Sequence, residues 1–285
     1  MTESPFLVPF DGSLPSFPTA SSDTPGKKHC RKALADEVKA ISALQRRLFA
    51  DGRHALLLVF QALDAAGKDG TIRHVLSGVN PAGCRVTSFK QPSAVELDHD
   101  FLWRTSRVLP ARGMIGVFNR SYYEEVLVVR VHPEFLGAQN LPRDIPTAER
   151  WPERYASIRE HERHLSLNGT TILKFWLNIS REEQRQRLLA RLEEPDKYWK
   201  FSPADLAERE RWDDYQLAFR EALSATSRPW APWYAVPADS KPFARLAVAR
   251  IVRAALEGMD LRYPEVPEAQ EARFTECRRI LEAEA

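Results

Sequence analysis

The sequence predicts an α/β fold: a mostly parallel five-stranded sheet covered by helices on both faces, with a helical insertion. Three observations predict it. Residues 54–61 form a continuous apolar run, as expected of a strand buried on both faces. Strand-like and helix-like segments alternate along the chain, which implies crossover connections and parallel pairing. Roughly fifty residues between the third and fourth strands carry helical patterns without a convincing strand, too long for an ordinary connection.

The elements follow in order. Residues 1–26 contain Pro5, Pro9, Pro15, Pro18 and Pro25 and read as an extended arm, with Phe6, Phe10 and Phe17 available to lie over another surface. Over residues 27–50, Leu34, Val38, Ile41, Leu44 and Leu48 recur at helical spacing. The strand at 54–61 runs into a glycine-bearing turn and then a helix over about 70–79. Residues 84–89 alternate as a second strand. Pro92-Ser93 opens a helix, with Ser93 and Glu96 spaced as a capping box. Residues 113–118 are a third strand. Asn168-Gly169 closes the insertion, and 170–178 is a fourth strand. Ser180 and Glu183 form a second capping box, starting a helix to about 192. Ser202-Pro203 starts a long helix with proline at its first position. A short fifth strand at 231–236, a helix over about 241–256 and a charged tail helix complete the chain. The organisation is an arm (1–26), a core domain (27–258) with its insertion at about 120–168, and a helical tail (259–285).

The net charge of +2 hides 41 basic and 39 acidic residues, so an anionic partner has to find a local basic patch, and no general nucleic-acid signature is present. Cys30, Cys84 and Cys277 are far apart and odd in number. They show neither metal-ligand spacing nor a disulfide framework, which suits a reducing compartment. The apolar runs are too short to span a bilayer, and Met1-Thr2-Glu3-Ser4 lacks the features of a signal peptide. A cytoplasmic location is expected, without a membrane or nucleic-acid partner.

The most informative segment is Asp64-Ala65-Ala66-Gly67-Lys68-Asp69-Gly70-Thr71. A buried strand that enters Gly67-Lys68 and then a helix is the geometry of a phosphate cradle. Backbone N–H groups converge, the helix N-terminus adds positive potential, and the lysine ammonium reaches the phosphates. The pattern departs from the standard loop, with Ala62 at its first glycine and Asp69 at its Mg²⁺-binding Ser/Thr. A plain glycine turn with a solvated lysine is the competing reading. Asp64 argues for the cradle: a carboxylate beside bound phosphate calls for a metal or proton between them. It is therefore a candidate Mg²⁺ ligand, or a base that orients the accepting phosphate.

The third strand leads into Asn119-Arg120-Ser121-Tyr122-Tyr123. Ligand crevices of doubly wound sheets lie at the carboxyl ends of the strands, so Asn119 and Arg120 should face the loop. Arg120 could neutralise a transferring phosphoryl group. A helix-capping Asn and a surface Arg are the alternative.

These blocks together resemble the polyphosphate kinase 2 family of P-loop kinases. The resemblance covers roughly residues 30–258 and rests on LDAAGKDGTIRHV (63–75), VTSFKQPSAVELDHDFLWR (86–104), IGVFNRSYYEEVLVVRVHPE (115–134), NGTTILKFWLNISREEQRQRL (168–188), KYWKFSPADLAERERWDDY (197–215) and APWYAVPADSK (231–241). It implies a three-layer αβα P-loop kinase fold with a helical lid, and Mg²⁺-dependent phosphoryl transfer between inorganic polyphosphate and a nucleotide. The family's loop aspartate and lysine fall on Asp64 and Lys68, and its arginine on Arg120. Where many members carry Asp before that arginine, this chain has Asn119, a departure that bears on a second acidic metal ligand. FNRSYYEEVLVVRVHPE looks like the class III subgroup, which phosphorylates nucleoside mono- and diphosphates, so AMP and ADP are the implied acceptors. Lys90, Arg130 and Arg181 resemble positions of phosphate-binding basic residues.

Arg150, Arg154, Arg159 and Arg163 could line a polyphosphate channel, but Glu149, Glu153, Glu160 and Glu162 beside them favour a solvated, ion-paired helix face. Trp199, between Lys197 and Lys200, could stack on a base or anchor a core. Relatives are commonly oligomeric, so a homo-oligomer is expected, with the arm and the tail helix around Phe274 and Ile280 as its surfaces. The rival functions are an ATP-dependent nucleoside monophosphate kinase and a non-catalytic nucleotide-sensing module.

Overall fold

The computed structural model describes residues 4–13, 15–22, 24–141 and 146–284. In chain order they form helix α1 (Lys27–Asp51), strand β1 (Ala55–Gln61), α2 (Lys68–Val75), β2 (Cys84–Ser88), the single turns α3 (Ala94–Leu97) and α4 (Trp103–Ser106), and β3 (Ile115–Asn119). There follow α5 (Val128–Val131), α6 (Thr147–Leu167), β4 (Thr170–Asn178), α7 (Arg181–Glu193), α8 (Ala204–Glu210), α9 (Trp212–Thr226), β5 (Trp233–Pro237), α10 (Lys241–Glu257) and α11 (Glu268–Ala283).

Among the described residues one five-stranded sheet runs in the order β2-β3-β1-β4-β5, with every neighbouring pair parallel. β1 lies at its centre and is buried along its whole length. The two-residue period of the strand divides its side chains between two cores. Leu56, Leu58 and Phe60 join Ile41 of α1, Ile72 of α2 and Val248 of α10 on one face. Leu57 and Val59 join Tyr123, Ile158 of α6 and Phe219 of α9 on the other. Each fully buried leucine contributes about 1.5–3 kcal/mol relative to an exposed one. The register sets Phe60 beside Asn119, and Gln61 beside Trp176, so the carboxyl ends of β1, β3 and β4 open onto one edge of the sheet.

The N-terminal arm lies on the chain's own sheet. Leu7 bridges antiparallel to Tyr234, the Val8 N–H donates to the Trp233 carbonyl (2.9 Å), and the Ala235 N–H donates to the Phe6 carbonyl (2.8 Å). Phe6 meets Phe243, and Phe17 meets Trp176, edge-on. The backbone edge of β5 is thereby covered, which removes a template for intermolecular pairing.

Several expectations are corrected. The helix after the loop spans Lys68–Val75, shorter than 70–79 and starting at the lysine itself. The Ser93–Glu96 capping box forms in full, yet it caps one turn. The long helix expected after Pro203 is two helices, with Arg211 leaving helical geometry at ψ 23°. Asp205, Glu208, Trp212 and Tyr215 keep helical spacing through the break and line one pocket, so the periodicity alone carries no sign of it.

Glu162 does not lie on a solvated face. It is fully buried, where it accepts from Lys174 Nζ (2.6 Å), Tyr122 Oη (3.0 Å) and Tyr123 Oη (2.9 Å). The Lys174 ammonium spends its other donors on Tyr123 Oη (2.9 Å) and the Thr226 carbonyl (2.9 Å), so its three N–H bonds are all matched. This network joins α6, β4, α9 and the segment after Arg120. Trp199 is 78% exposed and anchors no core. No helix among the described residues is long and apolar enough to cross a membrane.

Candidate active site

β1 ends at Gln61 and the chain turns through Ala62 to Gly67 before α2 begins. Two residues of the turn have left-handed backbone, Ala65 (φ 63°) and Gly67 (φ 100°). Glycine takes that conformation freely, whereas alanine pays on the order of 1 kcal/mol, a strain held by the surrounding contacts. Arg120 is a third such residue, at φ 63° immediately after β3.

The contacts that hold the loop come from α7. Arg187 is buried and donates through Nη1 to the Ala65 (3.2 Å) and Ala66 (2.7 Å) carbonyls, and through Nη2 to those of Ala238 (2.6 Å) and Asp239 (3.1 Å). Its Nε is held by Glu183 (2.6 Å). Gln184 Nε2 donates to the Asp64 carbonyl (3.1 Å). The planar guanidinium fork thus ties the phosphate loop to the turn after β5.

No side chain caps α2, and Gly67 precedes its first residue, so its leading N–H groups are left for an anion. Lys68 folds back to donate to the Ala62 carbonyl (2.8 Å). Burial lowers its pKa, and the Asp64 carboxylate opposes that shift. Arg120 Nη2 donates to Asp64 Oδ1 (3.0 Å) and Nη1 to Glu124 Oε2 (3.3 Å). The Glu124 charge, opposed by burial and assisted by Asp64, raises the Arg120 pKa. Burial raises that of Glu124, against the nearby Arg120 and Lys68 cations. Gln61, with its amide oriented to satisfy both ends, donates to Glu124 Oε1 (2.8 Å) and accepts from the Ser121 N–H (3.1 Å). Asn119 Nδ2 donates to Asp69 Oδ1 (2.6 Å) and reaches Ser88 Oγ (3.4 Å).

The Asp64–Arg120 pair borders two spaces of opposite charge. On one side is a cleft of about 860 Å³ lined by Lys68, Lys90, Arg120, Arg187, Arg191, Lys197, Lys200, Lys241 and Arg245, against Asp64, Asp69 and Glu183. On the other is a pocket of about 170 Å³ where Asp64, Glu124, Asp205 and Glu208 meet Leu127, Val128, Trp212, Tyr215 and Phe219. Burial, followed by the Asp64 charge, raises the Asp205 pKa. Tyr215 Oη donates to Glu208 Oε2 (2.5 Å), and burial together with that bond raises the tyrosine pKa far above its ordinary value.

Of the sequence-predicted residues, Asp64, Ala65, Gly67, Lys68, Asp69, Gly70, Lys90, Asn119 and Arg120 all line the basic cleft. Ala66 and Thr71 are buried beneath it. Two are not brought there. Arg130 is ion-paired with Glu221 and lies over the Trp151 ring, because the segment after Leu127 turns it toward α6 and α9. Arg181 is exposed at the first position of α7, where its carbonyl accepts from Arg209 Nη1 (2.8 Å). In α6, Arg154 pairs with Glu125 (3.0 Å), Arg159 donates to the Ala225 carbonyl (3.1 Å) and Arg163 lies over Trp230. Sequence reasoning missed Arg187, Gln184, Glu124 and the acidic pocket. Arg187 and Gln184 stand within the matched block at 168–188, but their neighbours give no local sign of a role.

Among the described residues no group of three or more His, Cys, Asp or Glu side chains is arranged to hold a metal. The loop nevertheless suits a hard cation that keeps its waters and takes substrate phosphate oxygens, since such ions need only one or two carboxylates. Asp64 and Asp69 supply these at the cleft, and the buried Asn119 Oδ1 beside them has no hydrogen-bond partner.

The profile of the family described as Polyphosphate kinase 2 (PPK2) matches residues 25–264. The chain belongs to the polyphosphate kinase 2 family. It is a phosphotransferase, a polyphosphate kinase. It is 55% identical over 256 residues to an ADP-polyphosphate phosphotransferase of Rhodopseudomonas palustris, covering 90% of this chain and 89% of the relative. It is 46% identical over 246 residues to an AMP/ADP-polyphosphate phosphotransferase of Meiothermus ruber, covering 86% and 88%. The crystal structure of polyphosphate kinase 2 from Arthrobacter aurescens superposes with a TM-score of 0.86 at 41% identity, covering 95% of both chains.

Proposed function

We propose that the protein transfers a phosphoryl group from inorganic polyphosphate to AMP and ADP, forming ADP and ATP, with Mg²⁺ as cofactor. The observation that carries this reading is the sorting of charge across the Asp64–Arg120 pair. A polyanion is drawn to the basic cleft and repelled from the acidic pocket. The acidic pocket, with its aromatic and aliphatic walls, suits the uncharged part of a nucleotide, whose ribose hydroxyls can donate to carboxylates. The two substrates therefore meet end to end at Asp64, Lys68 and Arg120. The relatives' names, ADP- and AMP/ADP-polyphosphate phosphotransferase, support the choice of acceptors.

Positioning and charge neutralisation do most of the work in such transfers. Lys68 and the free N–H groups of α2 hold the terminal phosphate of the donor. Arg120, released from part of its contact with Asp64, follows the charge that develops on the transferring group. Asp64, assisted by Asp69, would hold Mg²⁺, which when bound cancels repulsion between the donor and acceptor oxygens. Glu124 keeps Arg120 aimed from behind. Leu127 and Val128, in the insertion after Arg120, wall the pocket and help to keep water from the reacting phosphates.

Purified protein, Mg²⁺ and polyphosphate should convert AMP to ADP and ADP to ATP, resolved by chromatography. If ATP phosphorylates AMP as fast without polyphosphate, the donor assignment is wrong. Asp64→Ala should lower turnover at least about a hundredfold with an unchanged circular dichroism spectrum, and near-normal activity would remove Asp64 from the mechanism.

A further inference from the structure

Helix α11 stands apart from the rest of the chain. It lies beyond the family match, which ends at residue 264, and each of its residues with a described side chain is exposed. The preceding Arg262–Pro267 segment is exposed as well. Phe274, Ile280 and Leu281 are 51%, 48% and 65% exposed, and Phe274, Cys277 and Leu281 border one shallow groove. A helix of about this length is marginal in water without a packing partner.

The sequence of α11 says what that partner is. Gln270, Phe274, Cys277 and Leu281 follow alternating steps of four and three, the seam of a two-stranded coiled coil. Glu271 and Arg278 flank that seam on one side, and Arg273 and Ile280 on the other. If two copies paired in parallel, Arg273 of each would face Arg278 of its partner, a repulsion occurring twice. If they pair antiparallel, Glu271 of each faces Arg278 of the other, an attraction occurring twice, while Phe274 packs on Cys277 and Leu281 on Gln270.

We propose that α11 is a self-association element that pairs antiparallel, about a two-fold axis, with α11 of a second copy of this chain. The charges are self-complementary in that orientation alone, as an isologous interface requires.

Sedimentation velocity over a concentration series, on the full chain and on a chain ending at Pro264, tests the element. The full chain should reach twice the stoichiometry of the truncated one, with equal activity per chain as the control for folding. Equal stoichiometry of the two would overturn the proposal. Orientation is tested by Arg278→Glu, which should weaken the association about tenfold, and by Glu271→Arg/Arg278→Glu, which should restore it. Tightening by Arg278→Glu alone would mean parallel pairing and would overturn the antiparallel arrangement.

Discussion

Asn119 Nδ2 donates to Asp69 Oδ1 at 2.6 Å, joining the end of β3 to the first turn of α2 across fifty residues of sequence. An amide at this position lets the loop carry a carboxylate without a second negative charge against it. Asn119→Asp would set two carboxylates in contact, a pair that ionises fully only when a cation lies between them and otherwise shares a proton. The variant should lose thermal stability in chelator and regain more of it than the parent when Mg²⁺ is added. Melting temperatures with and without Mg²⁺ check this, and an equal Mg²⁺ effect in both proteins would place Asn119 away from the metal.

Arg187 binds four backbone carbonyls from two loops, a geometry that lysine cannot reproduce. Arg187→Lys should cost about 3 kcal/mol of stability, from lost charge-assisted bonds to buried carbonyls. Because Ala65 depends on these contacts for its left-handed backbone, turnover should fall further than stability predicts. Chemical denaturation and turnover measured below the melting transition separate the two effects.

The buried Lys174–Glu162 pair gives a third prediction. Lys174→Met leaves the Glu162 carboxylate without its cation in a site closed to water, at a cost of about 3–5 kcal/mol. The paired change Lys174→Met/Glu162→Leu should recover part of that loss, since no charge is then stranded. It should not recover all, because Tyr122 loses its acceptor. Denaturation midpoints at constant slope report both values.

Lys68 predicts the alkaline limb of the pH profile. Its pKa is lowered by burial, so the ammonium is lost below the ordinary value of 10.5, and kcat/KM should begin to fall before that pH. Stability moves the other way. Between the lowered folded value and 10.5 the unfolded chain binds more protons, so this group's contribution to stability rises with pH. Activity should therefore decline while the protein remains folded, which a pH series of rates beside circular dichroism will show.

The sequence by itself determined the strands, the phosphate loop and most of the residues around it. Those features are local. The run at 54–61 is long and apolar enough to be a central strand. Gly67-Lys68 follows it directly, and Asn119-Arg120 follow the third strand, so parallel pairing brings both to the same edge. Only the tertiary structure decided which polar side chains are buried and what they meet. Glu162 sits among arginines and glutamates that look solvated, and Lys174 sits in an apolar strand. Their pairing arises only when α6 packs against β4. Arg187 reads as an ordinary helix arginine until folding sets it more than a hundred residues back in sequence against Ala65 and Ala66. The acidic pocket likewise needs β1, the segment after β3, and α8 and α9 together. Periodicity records which face of an element is buried, whereas the sorting of charge across Asp64 and Arg120 arises from packing distant segments together.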